Sequence, residues 1–369
     1  LTSVSTNEPT GNAAEPVTVD RRTGNSFDFV RFCAASAVLY SHHFDLAGLP
    51  EPVVPGYGED FGQLAVEVFF CLSGFLLTLS LERGRGFAFF AAARVMRIMP
   101  NLVFALVAAS LATFVWYGNV GHLADHLAYV GDNLLMFVEG ARFDIAGVFG
   151  DRIRSSLNDP IWTLPYEVWC YVALALVFAA GARAARVLIL VAALAASIAW
   201  GLSADVEFHI GPLEGFEFFR LASYFLAGAA VAVAWPWMNR NAVAVGAVAL
   251  IFVFVVRAAL PDDTVLHALT LAAAVVGLGS STAMAWFAKG GDASYGIYVF
   301  AWPVQQFSQM LIGGFWLSML VAFAVTTALG YATWHGFEKR AIAVPQRWQT
   351  RRPRRDARLE HSASDLRRR

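Results

Sequence analysis

Apolar runs of about 20 residues, enough to cross a hydrocarbon core of about 30 Å, recur along the chain between polar or basic links. They predict helices over 27–46, 62–82, 98–117, 161–181, 187–203, 215–234, 242–259, 265–287, 294–312 and 315–335. Residues 122–138 are only half apolar and predict an interfacial or re-entrant helix. The stretch 139–160 reads as a polar loop, and Pro50, Pro52 and Pro55 mark another loop after the first run. No internal repeat is visible, which argues against a transporter built from inverted repeats.

The order of positive charge orients these runs. Arg21 with Arg22, the link holding Arg83, Arg85, Arg94 and Arg97, Arg183 with Arg186, Arg240, Lys289 and the arginine-rich C-terminus are separated by even numbers of crossings. All of them can therefore face the cytoplasm together. The pattern predicts an all-α polytopic membrane protein of about ten transmembrane helices in one bundle, with both termini cytoplasmic. Arg142, Arg152 and Arg154 are the exceptions, in an outer loop that also carries Glu139, Asp144, Asp151 and Asp159.

Composition agrees. The 369 residues are 57% hydrophobic and 15% charged, with a mean hydropathy of +0.54, which excludes an ordinary soluble domain. The net charge of −1 conceals a basic end, from Arg340 to Arg369, suited to an anionic inner leaflet. No aromatic or folded context accompanies it, so nucleic-acid binding is not expected. Residues 1–24 are expected to form a disordered polar tail without the apolar core of a secretory signal, 25–340 a membrane domain, and 341–369 a disordered basic tail. Cys33, Cys71 and Cys170 lie in apolar segments without metal-ligand spacing, and His122 with His126 lacks a third ligand. No metal or permanently bound cofactor is expected.

The first helix is anomalous, because Arg31 and His42 stand 11 residues apart in an apolar run. At about 100° per residue both leave one face, about 16 Å apart along the axis. Ionisable groups at such depth point to function. The orientation sets Arg31 near the cytoplasmic side and His42 in the outer half, with Glu67 at similar depth on the second helix. A carboxylate beside an imidazole fixes its tautomer and supports general-base chemistry. Glu67 and Asp45 are both candidates for that partner. Arg94 and Arg97 form an RxxR pair that suits either phosphate clamping or membrane anchoring, with Pro100 in the first turn of the third helix. Arg220, flanked by Glu214 and Glu217, needs a carboxylate if buried.

These residues resemble the motifs of the acyltransferase-3 family of integral membrane O-acyltransferases over about 25–340. Arg31 and His42 match its R-x10-H motif. The run from Val66-Glu67-Val68-Phe69-Phe70 to Ser73-Gly74-Phe75-Leu76 is similar to its second-helix signature. Arg94-Val95-Met96-Arg97-Ile98-Met99-Pro100 resembles its R-x-x-R-I-x-P block. Trp162-Thr163-Leu164-Pro165-Tyr166-Glu167 with Tyr171, and Ser294-Tyr295-Gly296-Ile297-Tyr298 with Trp302-Pro303, resemble two later blocks. The sequence departs from the pattern in having Glu67 where Asp is common, and no histidine before Pro303. No SGNH-type esterase domain is appended, so the chain is expected to be the membrane module alone.

The resemblance implies an enzyme moving an acyl group, commonly acetyl, from cytoplasmic acyl-CoA to a hydroxyl of a cell-surface glycan, lipid-linked saccharide or small-molecule glycoside, in the inner membrane. His42, Glu67 and Glu167 are then the expected catalytic residues, with Glu167 joining Glu67 and Asp45 as a candidate partner of His42, and Arg31, Arg94 and Arg97 are the expected acyl-CoA contacts. Trp162, Tyr166, Arg220, Ser294 and Tyr295 are the expected substrate contacts. Arg220, or a helix break at Ser73-Gly74, is expected to face the developing oxyanion. The rival expectation is a transporter or flippase using the same Arg, His and Glu as a substrate or proton path.

Overall fold

The computed structural model describes residues 24–118, 122–203, 206–260 and 263–347. The tails expected before residue 24 and after 347 lie outside the described residues. Within them the helices are α1 (Phe27–Leu46), α2 (Phe61–Glu82), α3 (Phe87–Tyr117), α4 (Leu123–Leu134) and the one-turn α5 (Met136–Glu139). There follow α6 (Thr163–Ala179), α7 (Ala182–Leu202), α8 (Gly215–Met238), α9 (Ala242–Ala259), α10 (Thr264–Gly279), α11 (Ser294–Leu311) and α12 (Phe315–Thr333). The only sheet among the described residues is a two-stranded antiparallel ribbon, β1 (His209–Ile210) with β2 (Leu213–Glu214).

Among the described residues, six stretches are long and apolar enough to cross a membrane: 61–82, 87–117, 159–179, 182–202, 215–259 and 315–347. The fifth contains both α8 and α9, joined by a 3-10 turn at Asn239–Asn241. α10 is apolar but shorter, and α1 and α11 are long enough but too polar to qualify. Those two polar helices pack against each other in the bundle and carry the groups described below.

α7 starts at Ala182 rather than 187 and α10 ends at Gly279 rather than 287, and three further differences from expectation bear on the site. α3 starts at Phe87, directly after Gly84 and Gly86, whose φ values of 65° and 86° stop the preceding helix. Pro100 therefore sits in the interior of α3 rather than in its first turn, where its missing N–H leaves the carbonyl four residues back without its helical partner. Arg94 and Arg97 consequently stand on a helix, not in a loop. α2 is continuous through Ser73 and Gly74, so there is no break there. Gly74 is instead a packing residue. A Cβ on it would strike the Phe225 carbonyl, and one on Gly228 would strike the Cys71 carbonyl, so α2 and α8 cross backbone to backbone. Finally, α12 passes through a π turn at Trp334–Glu338 and stays helical to residue 347. The tail boundary expected at 341 falls inside that helix.

The polar loop of 139–160 is partly exposed, but its last part turns inward, with Ser156, Leu157, Asn158 and Pro160 buried. It descends along α11 through a ladder of side-chain bonds. Arg152 donates to Gln309 at 3.2 Å, Gln306 to the Arg154 carbonyl at 2.7 Å and Trp302 to the Ser156 carbonyl at 2.9 Å. Asn158 then donates to the Val299 carbonyl at 2.9 Å and Tyr298 to the Pro160 carbonyl at 2.5 Å. From 309 to 298 is about 16 Å of helix, and Ser156, Leu157 and Asn158 are buried. Irregular backbone is stable at such depth only when protein supplies its hydrogen-bond partners. That requirement explains why α11 is too polar to resemble a simple span.

Candidate active site

Chain order brings the start of α1, the end of α2, the start of α3, the start of α11 and the end of α12 to one end of the bundle. They enclose a cavity of about 560 Å³. Arg31, Arg83, Arg94 and Arg97 line it, together with Ser73, Glu167, Tyr171, Ser294 and Tyr295. Of the residues singled out in the sequence, the cavity gathers Arg31, Arg94, Arg97, Glu167, Ser294 and Tyr295. His42, Glu67, Trp162, Tyr166 and Arg220 are not among its lining.

The two arginines of the RxxR pair differ. Arg97 is committed: it donates to Asp292 at 2.7 Å and to Glu338 at 2.6 Å, and its guanidinium lies 5.8 Å from the centre of the Tyr295 ring. Glu338, which comes from the π turn of α12, is fully buried and also accepts from Asn101 at 2.8 Å. Arg94 makes no ion pair within 4 Å among the described residues, and its Nε is buried without a partner. A cation left open in a basic cavity is a ready anion contact. Arg31 pairs with Asp28 at 3.1 Å and Asp292 at 3.4 Å.

Asp292 ties this end together. It sits between the 3-10 turn Ala285–Gly290 and α11, where it also accepts from the Ser294 amide at 3.2 Å and hydroxyl at 2.5 Å. Burial alone would raise its carboxyl pKa; Arg97, Arg31 and the Ser294 donors hold it below the ordinary value. Ser294 and Tyr295 thus serve this network, and the Tyr295 hydroxyl donates to the Ile98 carbonyl at 3.0 Å. Glu167 accepts from Ser73 at 3.0 Å and from Tyr171.

His42 belongs to the opposite end, with its neighbour His43. The structure separates the two. His43 is fully buried and both ring nitrogens are partnered, Nε2 with Ser318 at 3.0 Å and Nδ1 with Gln305 at 3.1 Å. His42 keeps 21% of its side chain exposed and stacks edge-on against Trp302, with ring centres 5.3 Å apart. Its buried Nδ1 has no hydrogen bond and faces Glu51 Oε1 at 3.6 Å, just beyond bonding reach. Glu51 is held in turn by Ser41. Burial raises the Glu51 carboxyl pKa, but His42, Ser41 and Asp60 together bring it below its ordinary value.

The three carboxylates weighed as partners of His42 have other commitments. Glu67 is buried and accepts from Tyr57 at 2.6 Å and Arg220 at 3.0 Å. Asp45 pairs with Arg154, and Glu167 lies on the cavity wall. Arg220 is held between Glu67 and Glu217, the latter at 2.6 Å. Trp162 stacks edge-on against Tyr166, whose hydroxyl accepts from the Glu214 amide at 3.0 Å. Sequence reasoning missed Glu51, Asp292 and Glu338. Glu51 hides between Pro50 and Pro52, where no periodicity directs attention. Asp292 left one signal, its place two residues before Ser294 at a helix start.

A family model described as an acyltransferase domain matches residues 25–335. An O-acetyl transferase of Shigella phage Sf6 is 31% identical over 327 residues, covering 86% of this chain and 96% of that protein. Nodulation protein 10 of Rhizobium leguminosarum bv. viciae is 30% identical over 186 residues, covering 48% of this chain and 50% of that protein. No solved structure matches.

Proposed function

The chain belongs to the acyltransferase-3 family of membrane O-acyltransferases, and from that premise we propose that it moves an acyl group, acetyl in the first instance, from cytoplasmic acyl-CoA to a hydroxyl of a cell-surface glycan, lipid-linked saccharide or small-molecule glycoside. The observation that carries the reading is the basic cavity with Arg94 left open, opening at the end of α1 from which His42 is about 16 Å distant. A long phosphorylated thioester has its charge and its reacting carbon at comparable separation. Phosphates at Arg94, with Arg31 and Arg83 nearby, leave the pantetheine arm to run up the cavity.

The topology we favour has ten crossings, α1 to α3 and α6 to α12, with both termini cytoplasmic in the inner membrane. The even spacing of Arg83, Arg94, Arg97, Arg183, Arg186, Arg240 and Lys289 supports it. On this reading acyl-CoA is a substrate that comes and goes.

His42 is the general base. With Nδ1 turned toward Glu51, the tautomer carrying its proton there leaves Nε2 to accept the proton of the acceptor hydroxyl. The oxygen attacks the thioester carbonyl, the C–S bond breaks, and the imidazolium returns its proton to the departing thiolate. Glu51 orients the ring and stabilises its cationic form. Glu167, with Ser73 and Tyr171, lines the route of the donor. Glu67 holds Arg220, and together with Trp162 and Tyr166 they shape the acceptor side.

The test uses purified protein in proteoliposomes with labelled acetyl-CoA and candidate acceptors. His42→Ala should lower transfer about 1000-fold, within the range for a lost general base. Equal transfer by wild type and His42→Ala would remove the assignment. Acceptor uptake without acylation would favour the transporter.

A further inference from the structure

The cavity changes character along its length. Arg83 follows the end of α2, whereas Phe69 stands 14 residues, about 21 Å, back along that helix, and Val66, Thr163, Leu164 and Tyr298 join Phe69 in the lining. His42 is absent from that lining, yet it is close. Trp302, which stacks on His42, stands four residues beyond Tyr298 on α11, about 6 Å along the axis. Tyr298 is the last residue of α11 in the lining, so the layer of side chains around it, drawn from three elements, is the part of the cavity wall nearest Trp302 along α11. Phe69 comes from α2, Thr163 from the start of α6 and Tyr298 from α11.

The layer has a fixed part and a looser part. Tyr298 is buried, its hydroxyl donates to the Pro160 carbonyl at 2.5 Å, and it lies 2.6 Å from the Thr163 hydroxyl. Phe69 has no polar anchor, is only partly buried, and meets the Tyr298 ring edge to face with centres 6.0 Å apart. Rings at that separation are in contact, so the way through opens by moving Phe69 rather than Tyr298.

We propose that Phe69, Tyr298 and Thr163 form the acyl-size selector of this transferase, admitting acetyl-sized groups to His42 and excluding chains of about four carbons or more. The proposal rests on reading the cavity as the acyl-CoA site. A methyl group passes when Phe69 swings aside. A longer chain needs the slot held open along several methylenes, which requires breaking the hydrogen bonds that fix Tyr298.

The test uses the full chain in membranes of cells that contain the acceptor, supplied with radiolabelled acetyl-CoA or hexanoyl-CoA. Label transferred out of CoA is followed. Wild type should favour acetyl by about 100-fold or more. Phe69→Ala should bring the two donors within about tenfold, chiefly by gaining hexanoyl transfer. Tyr298→Phe, which frees the ring without changing its size, should relax the ratio by a smaller factor. Phe69→Leu carries the same test if the alanine variant misfolds, since a gain on the longer donor is not a symptom of damage. Wild type using both donors equally, or an unchanged ratio in the Phe69 variants, would overturn the selector while leaving the donor site intact. Loss of the donor reading has a different signature, namely no His42-dependent transfer from acetyl-CoA at all.

Discussion

At each end of α1 the chain supplies two residues of one kind and commits one of them to the fold. At the cavity end Arg97 is enclosed by Asp292 and Glu338 while Arg94 has no ion pair among the described residues. At the other end His43 is bonded through both nitrogens while His42 has a single carboxylate standing off at 3.6 Å. The ends differ in the kind of charge they use. The cavity is organised by permanent guanidinium cations, suited to holding a phosphorylated substrate. The recess at His42 is organised around a titratable ring, suited to moving a proton. In the proposed reading, therefore, the working residue of each region is the one of the pair whose bonding capacity is left unfilled, not the one most firmly bonded.

The sharpest way to break this comparison is to remove each arginine. Arg97→Ala leaves Asp292 and Glu338 without their main cation, so thermal stability in detergent should fall by about 3–5 kcal/mol. Arg94→Ala should leave stability unchanged and raise the KM for acyl-CoA about tenfold or more, the loss expected for a charge-assisted bond. If instead Arg97→Ala stayed stable and raised KM, the roles would be exchanged. Next in size is His43→Ala. It strands Ser318 and Gln305 in the core and should cost about 1–3 kcal/mol of stability, with transfer per folded molecule preserved. A selective loss of kcat at full stability would move the catalytic role from His42 to His43.

The sequence made the outline of both regions legible. The apolar runs marked the helices, and the spacing of Arg31 and His42 placed them on one face of α1. Partner choice was not legible, because it depends on residues far along the chain. Arg97 meets residues 195 and 241 positions away, and nothing local in R-x-x-R separates it from Arg94. The inward turn of the 139–160 loop was hidden for a related reason. A polar stretch looks alike whether water or protein satisfies its backbone. The cue lay on the other partner, in Gln306 and Gln309 of a helix that ought to be apolar. Pro100 misled the reading of α3 because proline is commonest in a first turn, although an interior proline is tolerated in buried helices.

A smaller effect sharpens the His42 side alone. Glu51→Gln keeps the shape of the side chain but removes the charge facing Nδ1. We expect kcat to fall about tenfold, the worth of one orienting interaction, with the KM for acyl-CoA unchanged because Glu51 is remote from the arginine cavity. A rise in KM without a change in kcat would detach Glu51 from the chemistry.

The smallest expected difference is in the response to acid. Glu51 and Asp292 both lie outside the spans, and both carboxyls are held below their ordinary values of 4.5 and 3.8. A depressed carboxyl contributes stability that is complete above its unfolded pKa and is lost as the pH falls through its folded pKa. The melting temperature in detergent should therefore drop as the pH is taken from about 5 to about 3. Asp292→Asn should start lower at neutral pH and flatten this drop, because its carboxylate stabilises the fold only while ionised against Arg97 and Arg31. Glu51→Gln should flatten it less, since the Glu51 side chain is 25% exposed against 10% for Asp292, and solvent screens its interactions more. Equal flattening by the two variants would mean that Glu51 is bound into the fold as firmly as Asp292. Its stand-off from His42 would then reflect a rigid structural tie rather than a carboxylate able to follow the ring through a proton transfer.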